Sequence, residues 1–494
     1  MSSQTSRLSE AEGSQPTDGE AIPEAPATNG ERSAVSPPRE PLSPYPAGSL
    51  RELLVVAVPL MVSTGSHAVM VFFDRLFLAR YSAEAFAAAM PAGLLNWTLM
   101  ALPLGLVSYA STFVAQYHGA ERPDRVKATV WQAIFVALAA GAVLLAGWPL
   151  WQRMIRLFGH SGNIVPDELA YLGVLTLLCP IRLLAAAAGA YFSGRGRTRV
   201  VMASGIAGAV TNLALNPLLI FGLAGLPAMG IRGAAWATVV STAVELGVLV
   251  LVAVRERRPS VPTFRETFAF DRALTGRLVR YGLPQGVQYA ADLGAFMLVI
   301  AIVGRIGDAA LQATNLAFQM NSIAFIPLIG LGHAVSAVVG HRVGERRPDR
   351  ADRSVWMAAA IGSAWMLPFC TAYVLAPDAT LWPIARFADG NVEEFREEAK
   401  LLLRYIAVYS AFDIAAVVFG AAIRGAGDTR FSLWLTVLSC WLLMAVPLLV
   451  LSATGHSSLH AAWVLITLAI AAMGGGFLWR FLAGQWRSMT VMDG

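Results

Sequence analysis

The sequence has too little charge for a protein that is surrounded by water. Asp, Glu, Lys and Arg make up 14% of its 494 residues, and hydrophobic residues make up 56%, whereas soluble domains carry about 25% charged residues. Cysteine is also scarce. Its three copies all lie in apolar segments, so we expect neither a disulfide framework nor a cysteine-ligated metal site. The composition therefore indicates a membrane protein.

Apolar segments of the length of a bilayer account for most of the chain. Residues 53–73, 85–114, 130–151 and 431–451 are each near or above the roughly 20 residues that a spanning helix needs. An open chain can satisfy its backbone groups in lipid only as a helix, so we predict twelve transmembrane helices. Their expected bounds are 52–79, 85–117, 126–149, 166–193, 198–223, 231–254, 277–305, 309–341, 352–375, 394–423, 429–451 and 457–483.

Basic residues are scattered over the short loops between these spans, which indicates a membrane topology and not a nucleic-acid partner. The loops on one side carry 20 Arg or Lys residues, and those on the other side carry eight. Positively charged loops stay in the cytoplasm. We therefore predict a multi-pass membrane protein with both termini in the cytoplasm.

One polar segment occurs twice. Residues 119–131 read GAERPDRVKATVW, and residues 344–356 read GERRPDRADRSVW. Further matches share the offset of 225 residues, such as Pro59 with Pro284, and later matches have an offset of 231. The chain is thus two related halves of six spans. In the repeated loops, the arginines favour the cytoplasmic side, and Pro123 and Pro348 suit the first turns of the third and ninth helices.

Six spans return the chain to the side on which it began, so the two halves have the same orientation. The predicted fold is an all-α membrane protein of two six-helix bundles, related by a pseudo-two-fold axis along the membrane normal. The N-terminal segment is rich in Ser, Pro, Glu and Gly, which favours disorder. The expected regions are a disordered cytoplasmic tail 1–48, an N-lobe 49–254, a cytoplasmic connector 255–276, a C-lobe 277–485 and a C-terminal tail 486–494.

Three acidic residues lie deep in apolar spans: Asp74, Asp292 and Asp413. A charged residue at the centre of a span costs about 2.5–3.5 kcal/mol, so each of them needs a reason. Tyr409 precedes Asp413 by one helical turn and shares its face, so its hydroxyl could donate to the carboxylate or share a cation with it. The functional interpretation is a set of titratable groups. The structural alternatives are pairing of Asp74 with Arg75 at the interface and hydrogen-bonded knots between helices.

Other polar side chains occur in the same spans. Arg182 is a single intramembrane base at the position that matches Asp413, and it could either serve as the counter-ion of Asp74 or extend toward a water-filled cavity. Asn212 and Asn216 share one face of the fifth helix, and Thr238 lies in the sixth. Amide and hydroxyl oxygens beside a carboxylate suit a hard cation. Plain contacts between helices explain them equally well.

Several motifs together resemble the multidrug and toxic compound extrusion (MATE) family, in particular its bacterial NorM-like branch. They are FFDRLFLAR in the first helix, VAQYHGA at the end of the second, GLPQGVQYAAD in the seventh and AAIRGAGDTR after the tenth. The resemblance covers about residues 50–485. It rests on the order and spacing of the motifs, which occur in both halves.

This resemblance implies two groups of site residues. Asp74 falls on the acidic residue of the N-lobe cation site, with Asn212 and Thr238 on supporting ligands. Asn216 falls where many members carry Asp, which removes one carboxylate from a possible Na⁺ site. In the C-lobe, the paired acids and their aromatic neighbour correspond to Asp292, Asp413 and Tyr409.

The function that follows is secondary active efflux of organic cations in exchange for H⁺ or Na⁺, by alternating access. The resemblance to the bacterial branch implies a monomer embedded in the lipid of the bacterial inner membrane, with no cofactor, no nucleic-acid partner and no enzymatic activity. Two alternatives remain. A lipid-linked oligosaccharide flippase would need a strongly basic central cavity for pyrophosphate, and few intramembrane bases are present. A membrane scaffold without transport would leave the buried acids without a purpose.

Overall fold

The computed structural model describes residues 42–157, 164–256, 263–385 and 393–492. Twelve of its helices are long and apolar enough to cross a membrane, which confirms the predicted number. We number them spans 1 to 12. They are Leu50–Tyr81, Ala83–Gly119, Pro123–Ala146, Val165–Gly194, Thr198–Phe221, Ile231–Arg255, Arg272–Ile306, Asp308–Gly344, Pro348–Leu375, Arg396–Ala426, Thr429–Ala453 and Leu459–Leu482.

Local sequence signals set the starts of several spans. The hydroxyl of Ser49 accepts a hydrogen bond from the backbone N–H of Glu52 and caps span 1, and Asp271 caps span 7 in the same way. Side chains of this kind satisfy the free N–H groups of the first helical turn. Pro123 and Pro348 occupy the first turns of spans 3 and 9, where proline loses no hydrogen bond. Both proline positions were predicted from the repeat.

The repeated loop also repeats its backbone conformation. Glu121 has φ 59° and Arg346 has φ 57°, and these two residues are separated by the same 225-residue offset as their loops. Left-handed backbone is uncommon for residues with a side chain. Its recurrence at matching positions is structural support for two related halves, spans 1–6 and spans 7–12, which we call the first and second halves.

The first spans of the two halves are exchanged at the end of the molecule where span 1 begins. Val56 and Leu60 of span 1 are buried in a core made by spans 8, 9, 10 and 12 of the second half. Leu274 and Leu278 of span 7 are buried in a core of spans 2, 3, 4 and 6 of the first half. Pro59 and Pro284 lie in these two exchanged spans. The pairing is reciprocal, as a pseudo-two-fold relation requires.

Spans 2 and 8 meet closely at the same end, which we call the closed end. A Cβ atom on Gly119 would collide with the carbonyl oxygen of His341, and one on Gly344 would collide with that of Gln116. The side chain of Gln116 donates to the carbonyl oxygens of Gly425 and Ala426, at 3.0 and 3.2 Å. Glycine is needed at both contacts because the backbones touch.

A buried ion pair joins the halves beside these glycines. Glu52 of span 1 pairs with Arg342 of span 8, and both side chains are at most 4% exposed. Arg342 also pairs with Glu345 at 2.7 Å, and His341 lies 3.3 Å from Glu345. Burial favours the neutral form of Glu345, but hydrogen bonds and charge from His341 and Arg342 outweigh it and hold its pKa at about 2.

Both described ends of the chain pack against this closed end. The predicted disordered tail includes residues 42–48, and this part of the prediction is wrong, because Leu42 is 5% exposed and belongs to a core cluster. Residues 1–41 lie outside the described residues. At the other terminus, Trp486 is fully buried in the second half. Val491 is buried in the first half, where its N–H donates to Gln116 Oε1 at 2.9 Å. The C-terminal segment thus crosses the seam.

We expect Gly344→Ala to separate spans 2 and 8 at the closed end, because the added methyl group would collide with the carbonyl oxygen of Gln116. The measurement uses cysteines in place of Thr112 and Ser336, whose hydroxyl oxygens lie 3.5 Å apart across the halves, in a background without the native cysteines. The disulfide yield should fall about tenfold, since bridging needs a Cβ–Cβ distance of about 3.5–4.5 Å.

Gly276→Ala is the matched control, because a Cβ atom on this helical glycine meets nothing within 4 Å. Its disulfide yield should equal that of the parent. Equal yields in the Gly344→Ala and Gly276→Ala proteins would show that the glycine contact does not set the distance between the halves.

Candidate functional site

The structure brings Asp74, Asn212, Asn216 and Thr238 together between spans 1, 5 and 6. Asn216 Nδ2 donates to Asp74 Oδ1 at 2.5 Å and to Asn212 Oδ1 at 2.9 Å. Thr238 Oγ1 lies 3.4 Å from Asp74 Oδ2. Asp74 is 8% exposed, and both asparagines are fully buried. The four residues predicted for one site therefore form one contiguous polar cluster inside the first half.

Helical spacing explains how this cluster forms. Asn212 and Asn216 are one turn apart and face the same side of span 5. The hydroxyl of Thr238 also lies 3.1 Å from the carbonyl oxygen of Ala234, and a hydroxyl has only one hydrogen to donate. When that hydrogen points to Ala234, the oxygen lone pairs of Thr238 face Asp74.

Two polar atoms of the cluster are buried without a hydrogen-bond partner among the described residues: Asn216 Oδ1 and Asn212 Nδ2. Such orphaned atoms are rare in folded proteins and call for an explanation. An amide can present either its oxygen or its nitrogen to a neighbour. The cluster can therefore supply carboxylate, amide and hydroxyl oxygens to a small cation, which is the ligand chemistry that hard cations prefer.

The acids of the second half lie on spans 7 and 10. Asp413 is 8% exposed, and within the described residues no hydrogen bond reaches its carboxylate. Asp292 is exposed, and the two carboxyl groups are near enough to interact electrostatically. Tyr409 is buried one turn before Asp413 and lies in its electrostatic field. No hydrogen bond joins Tyr409 to Asp413 in the described part of the chain, so the expected donation from its hydroxyl is not seen.

A π-helical turn shapes the surroundings of Asp292. Residues Leu438–Ala445 interrupt span 11 with this wider form of helix, which occurs often at functional sites. Cys440 in this turn donates to Asp292 Oδ1 at 3.5 Å, and Trp441 Nε1 donates to the carbonyl oxygen of Ala291 at 3.0 Å. The irregular turn therefore fixes span 11 against span 7 beside the acid.

The structure corrects the interpretation of Arg182 as a counter-ion for Asp74. Arg182 Nη1 lies 3.3 Å from Glu245 Oε2, and the two side chains are 22% and 23% exposed. Glu245 was absent from the acids selected in the sequence, although it lies in the apolar stretch STAVELGVLV of span 6. Apolar neighbours on both sides of Glu245 could have identified it as a buried acid, as they did for Asp292.

A family model described as MatE matches residues 59–218 and 284–450. These two segments begin 225 residues apart, which is the offset of the internal repeat. The chain belongs to the MatE family. The family assignment agrees with the resemblance in the sequence motifs, and it accounts for the duplicated architecture.

Two of the relatives most similar to this MatE protein come from Pseudomonas aeruginosa. One is named probable multidrug resistance protein NorM and is 29% identical over 454 residues, covering 90% of each chain. The other is named multidrug resistance protein PmpM and is 29% identical over 410 residues, covering 79% of this chain and 82% of the relative.

Solved structures share the fold at lower identity. A MOP superfamily transporter from Pyrococcus furiosus superposes with a TM-score of 0.80 at 19% identity, covering 88% of this chain and 96% of that one. An outward-facing multidrug resistance transporter of the MATE family gives a TM-score of 0.80 at 19% identity, with coverage of 89% and 96%. These likenesses confirm the two-bundle helical fold that the sequence predicts.

We expect Asn216→Asp to create sodium affinity in the cluster of the first half. It would place a second carboxylate beside Asp74 Oδ1, and two adjacent carboxylates favour a shared cation or proton. The measurement is the thermal unfolding midpoint in detergent at pH 8, in sodium chloride against choline chloride of equal ionic strength. Sodium should raise the midpoint of the variant by several degrees.

Asn216→Leu is the control, because it removes the amide and adds no charge. It should show no difference between the two salts. An Asn216→Asp protein that responds equally to sodium and choline would argue against a cation site at Asp74.

Proposed function

We propose that this chain is a secondary active multidrug efflux transporter, which exports organic cations in exchange for H⁺ or Na⁺ by alternating access. The observation that carries the proposal is the pair of carboxyl groups at Asp292 and Asp413, held inside membrane spans without a basic partner in the described residues. The names of the two Pseudomonas relatives support multidrug export as the physiological role.

The polar clusters of the two halves suit different ligands. The cluster at Asp74 is small, enclosed and lined with oxygen atoms, so it fits a proton or a dehydrated metal ion. Asp292 and Asp413 interact with each other, and the side chain of Asp292 is less enclosed by protein than the Asp74 cluster, which favours a larger cation at these acids. Binding of either cation compensates the negative charge that the low-dielectric interior otherwise penalises.

Competition for negative charge supplies the coupling in this proposal. A buried carboxylate can hold a proton in one conformation and give it up to a cation in another. A ligand shifts the equilibrium between conformations only by binding them with different affinities. If substrate and ion cannot both neutralise the acids, each drives the exchange of the other, and an inward ion gradient becomes outward movement of the drug.

The closed end is the cytoplasmic side in this proposal, as the excess of basic loop residues on that side predicts. The conformation described here would then face outward. Inward opening requires separation of spans 2 and 8 and of the Glu52–Arg342 pair.

The seam between the halves also contains adaptable side chains that suit substrates of varied shape. Thr98 Oγ1 of span 2 lies 3.7 Å from the sulfur atom of Met297 in span 7, so a methionine of the second half contacts the first half. Methionine adapts to irregular shapes, and aromatic rings attract organic cations. Recognition of this kind needs no strict hydrogen-bond geometry.

A lipid-linked oligosaccharide flippase is not favoured. Such a protein would need free positive charge in its central cavity to hold a pyrophosphate. The base that the sequence offered for this purpose is Arg182, and its charge is compensated by Glu245.

We expect Asp292→Asn and Asp413→Asn each to reduce ion-driven ethidium efflux at least tenfold, because a neutral amide can neither bind a proton nor compensate a cation. Efflux is measured in cells that express equal amounts of each protein. The coupling ion is identified with proteoliposomes under an imposed pH gradient and, separately, a sodium gradient.

The control is Glu397→Gln, which neutralises an acid at the start of span 10 whose side chain is 84% exposed. It should transport normally. Unchanged efflux in both aspartate variants would defeat the proposal that the second half couples ion and substrate movement.

A further inference from the structure

A column of polar and small residues runs from the Asp74 cluster toward the closed end. On span 6, Ser241 and Thr242 follow Thr238, and both hydroxyl groups donate to its carbonyl oxygen at 2.9 Å. Glu245 comes one turn later on the same face. On span 5, Gly208 lies one helical turn from Asn212 in the direction of the closed end. The column therefore lies in the seam between spans 5 and 6.

Gly208 shows that the two spans face each other here. A Cβ atom on this glycine would lie 3.2 Å from the carbonyl oxygen of Ser241 and 3.6 Å from Cβ of Glu245. The glycine thus leaves room at the height of Glu245 where other residues would fill the seam.

The lower end of the column carries the ionisable groups that the proposed transport cycle has not used. Glu245 pairs with Arg182 of span 4 at 3.3 Å. His67 of span 1 lies within the electrostatic field of Arg182, and its Nε2 atom is buried without a hydrogen-bond partner among the described residues. Span 5 contributes the uncharged Gly208, and Trp97 of span 2 packs edge-on against His67 at 5.8 Å.

The register of the helices places this group directly beyond the cation cluster. His67 comes two turns before Asp74, and Glu245 comes two turns after Thr238. Seven residues of helix span about 10 Å, and both steps lead toward the closed end. The side chains of Glu245 and Arg182 keep 23% and 22% of their surface accessible, so the surrounding protein does not enclose the pair completely.

We propose that Glu245, held in place by Arg182, is a proton station between Asp74 and the closed end, an inference that rests on the proposed function. In this proposal, the carboxyl group of Asp74 gives up a proton, water that enters between the polar side chains of the column carries it, and it bonds to a carboxylate oxygen of Glu245. Glu245 then becomes neutral, and its attraction to Arg182 weakens. The proton leaves to water when the closed end opens, and the ion pair forms again.

The positive charge of Arg182 selects the ion, because it repels a metal cation at this position. A pair with only a structural role could be exchanged for two neutral residues at little cost. A proton station cannot be exchanged in this way, and the test uses this difference.

The experiment uses the full chain in proteoliposomes that contain a pH-sensitive dye. Addition of ethidium should drive proton movement in the wild type. Glu245→Gln should reduce this movement at least tenfold, and ethidium affinity of the purified protein should change less than twofold. The double variant Arg182→Gln/Glu245→Gln should be as slow as the single one, and Glu245→Asp should keep most of the proton movement, because it retains a titratable group.

Three results would overturn the station. The first is normal proton movement in Glu245→Gln. The second is recovery of proton movement in the double variant, which would make the role of the pair structural. The third is wild-type transport that follows only a sodium gradient. If the single variant does not fold, the double variant and Glu245→Asp decide by the same criteria. A wild type that moves no ethidium under any ion gradient would instead refute the proposed function itself.

Discussion

The cost of charge in a lipid-surrounded interior is the constraint on which this structure depends. An isolated charge is costly there, so a charged group is favoured where a partner, hydrogen bonds or a mobile cation compensates it. Glu52 and Arg342 meet across the seam, and Arg182 and Glu245 meet within the first half. Asp413 has neither kind of protein partner in the described residues. A charge that the protein itself does not compensate is what an ion-coupled transporter needs.

The same constraint explains why the halves join by backbone contact at the closed end. Gly119 and Gly344 let spans 2 and 8 approach until carbonyl groups lie against the helix opposite. Gln116 then satisfies carbonyl oxygens at the end of span 10 and receives the N–H of Val491 from the C-terminal segment. Where spans 2 and 8 meet, the halves are therefore joined by small residues, a buried ion pair and a few hydrogen bonds, beside the apolar cores that the exchanged spans 1 and 7 complete.

Much of this arrangement could be predicted from the sequence, because long apolar runs and a duplicated loop have few interpretations. The twelve spans, the two halves and the prolines at the starts of spans 3 and 9 follow from length, offset and helix-start chemistry. Asp74, Asn212, Asn216 and Thr238 were grouped by helix face and by resemblance. Pairing between distant spans was not predictable in the same way. Arg182 and Glu245 are 63 residues apart, and spacing along one helix carries no information about such a contact. Burial of Leu42 was missed because the composition of the whole tail outweighed one residue.

Duplication made the two halves alike in backbone and left them free to differ in charge. Arg182 and Asp413 occupy matching positions in spans 4 and 10, at the offset of 231 residues, yet one is basic and the other acidic. The base is compensated by Glu245 in its own half, whereas the acid interacts with another acid, Asp292. Two like charges in one half favour a cation between them, and a compensated pair in the other half does not. In the proposed function, this exchange of opposite signs at one repeated position lets a symmetric fold perform an asymmetric task, with substrate cations drawn to the second half and small ions carried by the first.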